Sequence, residues 1–97
     1  MKPWEELKNR LVEHKAELRQ RYRVHEIGIF GSFVRGEENK ESDVDILVEF
    51  EEPIGIFQFL ELEEYLGGIL GIKVDLVSRK ALKPHIGKRI LEEVILV

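Results

Sequence analysis

The chain predicts an α/β (α+β) fold, a small mixed β-sheet with helices packed on one face. Three observations lead there. Short runs rich in β-branched residues alternate with helical stripes in the order α-β-(α)-β-α-β-α. The chain has 97 residues, 43% of them apolar, enough for one modest core, so residues 1–97 read as a single domain. Its three Asp residues all fall within two of the predicted strands.

The elements follow in order. Pro3 suits the first turn of a helix. Trp4, Leu7, Leu11, Leu18 and Tyr22 recur at helical spacing and predict one amphipathic helix over 3–22. Arg19, Arg21 and Arg23 close it, where cations suit the helix dipole. Residues 24–30, VHEIGIF, form a strand that Gly31-Ser32 break. Residues 33–36 leave room for a turn or two of helix, and 36–42, GEENKES, form a polar loop. The second strand, DVDILVEF over 43–50, sets Val44, Ile46, Val48 and Phe50 on one face. Asp43, Asp45, Leu47 and Glu49 take the other. Pro53 closes it. Ile56, Phe59, Leu62, Leu66 and Ile69 mark a helix over 55–70, and IKVDLV over 72–77 is a third strand. Beyond Pro84, Ile86, Ile90, Leu91, Val94 and Ile95 mark a final helix.

Composition excludes several classes. With no Cys, disulfide scaffolds, thiol nucleophiles, zinc knuckles and iron–sulfur sites drop out. No apolar run reaches the roughly eighteen residues of a spanning helix. MKPWEELKNR lacks the apolar stretch of a signal peptide, so a cytoplasmic location is expected. The net charge of −4 divides into +3 over residues 1–23, −10 over 24–64 and +3 over 65–97. That pattern argues against a basic nucleic-acid binder, and the acidic middle either repels anions or holds cations.

Sixteen of the nineteen acidic residues are Glu, and only Asp43, Asp45 and Asp75 are Asp. Asp is short and stiff, the better choice where a carboxylate must be held in place. Asp43 and Asp45 leave the same strand face about 6.6 Å apart. Two such carboxylates repel unless a cation sits between them, and a hard divalent ion such as Mg²⁺ takes oxygen ligands. An isolated Asp-x-Asp is more often a strand start after a loop. Here Val74 and Leu76 face the core, so Asp75 shares the opposite face and joins the pair if the two strands are neighbours. Gly31-Ser32 follow a strand directly. Such a turn can aim backbone N–H groups at phosphate oxygens with a helix N-terminus behind them, although a plain strand–helix turn looks the same.

Together, Gly-Ser, ten residues, Asp, one residue, Asp in GSFVRGEENKESDVD resembles the signature of the nucleotidyltransferase superfamily. That superfamily includes DNA polymerase β, poly(A) polymerases and antibiotic nucleotidyltransferases. Gly31, Ser32, Asp43, Asp45 and Asp75 fit its key positions. Arg35-Gly36 and the closing KPHIGKRILEEVILV resemble the minimal stand-alone branch, the MNT domain of MntA-type antitoxins, over residues 24–95. The resemblance implies the nucleotidyltransferase fold and nucleotidyl transfer with two Mg²⁺ ions and ATP. Asp43, Asp45 and Asp75 would be the metal ligands and catalytic residues, with Asp75 also helping to activate the acceptor hydroxyl. Gly31 and Ser32 would hold the β/γ-phosphates. Arg35 would add a charge-assisted contact, the other reading of it being a solvated or salt-bridged Arg. By the same resemblance the partner is a HEPN-domain toxin with an AMPylated tyrosine.

Two other functions stay open. One is an antitoxin that only binds and occludes its HEPN partner. The other is a nucleotidyltransferase for a small molecule or a nucleic acid, which the acidic middle and the lack of an accessory domain disfavour. His14, His25 and His85 show no ligand spacing. Trp4, Phe57, Phe59 and Tyr65 read as core or interface, the basic run 79–89 as a solvated helix approach, and Glu49, Glu51 and Glu52 as a solvated rim. The apolar helices leave self-association open. No membrane partner and no direct nucleic-acid binding are expected.

Overall fold

The period-two apolar pattern does form strands: β1 (Val24–Phe30), β2 (Val44–Phe50) and β3 (Val74–Ser78), joined by a short β4 (Ile95–Leu96). The computed structural model describes residues 2–97. Its sheet runs β3-β2-β1-β4. β1 is antiparallel to both β2 and β4, and β2 is parallel to β3. The sheet is therefore mixed, as expected.

Around it lie α1 (Pro3–Glu13), α2 (Lys15–Tyr22), α3 (Ser32–Arg35), α4 (Ile56–Leu70) and α5 (Pro84–Glu93). Leu7, Leu11, Leu18, Tyr22, Leu62, Leu66 and Leu70 from α1, α2 and α4 close over one sheet face. They meet Ile27, Ile29, Val44, Ile46, Val48, Val74 and Leu76 in one apolar cluster. Each fully buried Leu or Ile of this kind contributes about 1.5–3 kcal/mol. The second face is lightly covered. Phe30 and Leu47 are buried yet lie outside that cluster. They line clefts there with Ile86, Ile90 and Leu91 of α5. At the sheet edge, Glu63 accepts a hydrogen bond from the Leu76 N–H at 2.8 Å. That contact occupies a backbone donor that an exposed edge would offer to another chain.

Two expectations are corrected. The helix over 3–22 is two helices, broken at His14 (φ −105°, ψ 5°). The His14 Nδ1 donates to the Arg10 carbonyl at 2.9 Å, and its own N–H turns back to Leu11. A side chain competing for backbone groups in this way interrupts a helix without Pro or Gly. The final helix stops at Glu93, and Val94-Ile95 leave it in extended backbone. β-branched residues favour the pleated surface, and the free edge of β1 gives them partners. Gly28 pairs with Leu96, Ile29 with Ile95, and Val97 N–H donates to Ile27 at 2.9 Å. Among the described residues no helix is long and apolar enough to cross a membrane.

Gly28 makes this last pairing possible. A Cβ there would stand 2.7 Å from Val94 Cγ2 and 2.9 Å from the Ile95 carbonyl. Gly28→Val should therefore push β4 off the sheet and cost about 1–3 kcal/mol in chemical denaturation. Hydrogen exchange should speed up at the Val97 amide while the Val44 amide stays protected. Gly68→Ala, inside α4 with open space around its Cβ position, should instead add about 0.5–1 kcal/mol.

Candidate active site

The pairing of strands decides which polar side chains meet. Phe30 of β1 lies opposite Asp45 of β2, and Asp45 lies opposite Asp75 of β3. Directly paired residues share a sheet face, so Asp45 and Asp75 stand side by side. Asp43 precedes β2 directly, close enough for its charge to act on Asp45. The sheet thus sets Asp45 and Asp75 on its second face, at one end, with Asp43 close to Asp45 in the chain. Asp43 and Asp45 are half-buried, whereas Asp75 is exposed.

The turn after β1 completes that end. Gly31 has φ +80°, a backbone region that L side chains rarely adopt, and a Cβ there would run into the Asp45 carboxylate. Glycine therefore serves two purposes here: it permits the turn, and it lets Asp45 lie against the main chain. Ser32, half-buried, opens α3 directly after it. α3 has only four residues, too few for a helix dipole to carry much of the anion binding expected at this turn. The individual donors matter more.

The crowding shows in Asp45. Its carboxyl pKa is pushed up, first by burial and then by the charge of Asp75, with smaller contributions from Asp43 and Glu93; only Arg35 opposes. Among the described residues, no three acidic or histidine side chains are already closed into a metal-binding group. The strand register sets Asp45 and Asp75 side by side without closing them into such a group.

Arg35 is salt-bridged, one of the two outcomes expected of it. Its Nε donates to Glu37 Oε1 at 2.7 Å, and its Nη1 donates to Glu93 at 2.8 and 3.1 Å. Hydrogen bonds to Glu37 and then Glu93 push its pKa further up, so it stays a cation. Glu93 also accepts a hydrogen bond from the Gly31 N–H at 3.0 Å. Sequence reasoning did not single out Glu93. It lies 62 residues from Gly31, and only the β1–β4 register, with Ile95 opposite Ile29, places it there. The Gly31, Arg35, Asp45 and Glu93 group lines an open cleft of about 620 Å³ with Ile86 and Arg89, a size suited to a small ligand.

The remaining sequence candidates separate. Arg79 turns to Glu49 at 3.0 Å, while Arg89 of the same basic run faces the cleft. The acidic rim is paired rather than simply solvated: Glu51 with Arg19 at 2.8 Å, Glu52 with Arg23, and Glu49 with Arg79. Trp4, Phe59 and Tyr65 pack on the core, and Phe57 is 85% exposed. A second cavity of about 390 Å³ near Phe50, Ile54 and Phe59 is mainly apolar and lies away from the Asp residues.

This geometry can be set beside known proteins. Residues 11–97 match the model of the nucleotidyltransferase domain family. The chain is 55% identical over 93 residues to the protein adenylyltransferase MntA of Thermococcus cleftensis, covering 96% of this chain and 94% of that one. A solved structure proposed as a minimal nucleotidyltransferase is 35% identical, with a TM-score of 0.74 over 92% of this chain and 93% of that one. The fold also recurs, at 20% identity and a TM-score of 0.68, in a complex of an MNT antitoxin with a tri-AMPylated Shewanella oneidensis HEPN toxin. That match spans 93% of this chain and 70% of that one. With Asp45 and Asp75 paired beside a Gly-Ser turn, and with agreement along nearly its whole length, the chain belongs to the nucleotidyltransferase domain family.

Proposed function

We propose that this chain is a protein adenylyltransferase that moves AMP from ATP to a hydroxyl, a tyrosine of a HEPN-domain toxin, and so acts as the antitoxin of the pair. The observation that carries this reading is the lateral pairing of Asp45 with Asp75 against the Gly31-Ser32 turn. The relative from Thermococcus cleftensis and the AMPylated Shewanella oneidensis complex support the acceptor class.

The donor set fits hard divalent cations. It consists of carboxylate oxygens only, and a cation would offset both the burial and the mutual repulsion that raise the Asp45 pKa. Asp43, Asp45 and Asp75 would hold two Mg²⁺ ions, which supply charge stabilisation to the entering and leaving oxygens when bound. The Gly31 N–H, Ser32 and Arg35 orient the triphosphate across the turn. Asp75, exposed on the far side of Asp45, accepts the proton of the acceptor hydroxyl. The oxygen of that acceptor hydroxyl bonds to the α-phosphorus, the bond from that phosphorus to the bridging oxygen breaks, and pyrophosphate leaves.

Incubation of the chain, Mg²⁺ and α-labelled ATP with a HEPN partner should label the partner. Asp43→Asn and Asp45→Asn should each lower transfer by about a hundredfold or more, the several kcal/mol that metal ions supply to such transition states. Full neutralisation of the toxin by both variants would instead establish the occluding antitoxin.

Stability gives a second check. A carboxyl whose pKa is raised by folding makes the native state bind protons more readily than the unfolded chain. Stability therefore falls as pH rises through the window above the ordinary carboxylate range. In buffer stripped of divalent ions at pH 7, Asp45→Asn should raise the thermal midpoint, by up to about 5 °C for a domain of this size. Calorimetry should show the gap closing as the pH is lowered towards 4. Added Mg²⁺ should raise the midpoint of the wild type and not of the variant. A variant less stable than the wild type at pH 7 would show that Asp45 has a structural role.

A further inference from the structure

Glu93 occupies the groups that the triphosphate needs. One of its oxygens takes the Gly31 N–H at 3.0 Å, and both oxygens pair with Arg35 Nη1 at 2.8 and 3.1 Å. A carboxylate on a backbone amide and a guanidinium makes the same charge-assisted contacts as a phosphate oxygen pair. The placement is also costly locally. Glu93 is the last residue of α5, where the helix dipole disfavours an acid. It adds a further negative charge close enough to act on Asp45. Its neighbour Glu92 is exposed, whereas the Glu93 side chain is 22% exposed and turned into the cleft. Two local rules are broken at one residue, and the contact with Gly31 and Arg35 is what compensates.

We propose that Glu93 is an internal stand-in for a phosphate group: it holds the Gly31 amide and Arg35 in the nucleotide-free chain, and a triphosphate seats only by displacing it. This rests on the proposed reading of Gly31–Arg35 as the triphosphate site. The register of β4 against β1 keeps the carboxylate within reach, so Glu93 competes at high local concentration and sets the nucleotide affinity. Glu93 is thus a positioning residue that tunes binding through Arg35 and the Gly31 amide.

The test is calorimetric titration of the full chain with magnesium tripolyphosphate and with magnesium–ATP. Glu93→Gln keeps the shape and removes the charge, Glu92→Gln makes the same charge change on the exposed neighbour, and Arg35→Gln reports on the site itself. Glu93→Gln should bind both probes about tenfold more tightly, consistent with the loss of one charge-assisted hydrogen-bonded contact, and Glu92→Gln should stay within about twofold of the wild type. In the transfer reaction Glu93→Gln should lower the KM for ATP without raising kcat. The Gly31 amide resonance should shift in Glu93→Gln without ligand, and in the wild type on adding tripolyphosphate. Equal or weaker binding by Glu93→Gln, with Arg35→Gln still losing affinity, would overturn the proposal and leave the triphosphate site standing. Unchanged affinity in Arg35→Gln would remove the site itself and the proposal with it.

Discussion

Asp45 has to remain in a half-buried place beside Asp75, with Asp43 just ahead of it in the chain and Glu93 across the cleft. Each neighbour makes its ionised form less favourable. The rest of the fold can be read as the means of keeping it there. Apolar packing is concentrated on the opposite face, where α1, α2 and α4 cover the sheet. Val44 and Ile46, the immediate neighbours of Asp45, have no exposed surface. The strand is anchored from below, so the polar side carries little of the stability and is free to concentrate like charges. Gly31 then removes the one Cβ that would force the Asp45 carboxylate outward.

How much of this was legible in the sequence follows from the range of each interaction. Strand alternation is a two-residue property, so the two faces of β2 and the orientation of Asp75 could be read directly. Val74 and Leu76 are buried and Asp75 is exposed, as that alternation requires. The break at His14 could not be read this way, because Leu7, Leu11, Leu18 and Tyr22 keep helical phase across it, and the cause is one side-chain bond to the Arg10 carbonyl. β4 was hidden for a related reason. Val94 and Ile95 continue the stripe of α5 in phase, and only the vacant edge of β1 beside Gly28 decides that they pair as a strand. Glu93 was hidden with them, since its place depends on that pairing.

The charged surface shows the same division between short and long range. The basic run 79–89 is uniform in sequence, yet Arg79 goes to Glu49 and Arg89 to the cleft. Arg19, Arg23 and Arg79 meet Glu51, Glu52 and Glu49, so the acidic middle of the chain is partly neutralised by the basic segments on either side. Exposed pairs of this kind are worth about 0–1 kcal/mol each. Asp43, Asp45 and Asp75 take part in no such pair among the described residues.

The order of the strands also gives the proposed reaction a direction. Reading across the sheet, the Gly31 turn belongs to β1, Asp45 to the central β2 and Asp75 to the edge strand β3. Under the proposed reading the triphosphate lies on the β1 side and the proton acceptor on the β3 side, with Asp45 between them. The β3 side is open to solvent: Asp75 is exposed, and it is not among the residues lining the α5 cleft. An in-line displacement needs entering and leaving oxygens on opposite sides of the phosphorus. Under the same reading, the strand order would set the two on opposite sides of Asp45. A folded protein partner could carry the acceptor hydroxyl in past β3 in a fixed orientation, which a small diffusing alcohol would have to find without help.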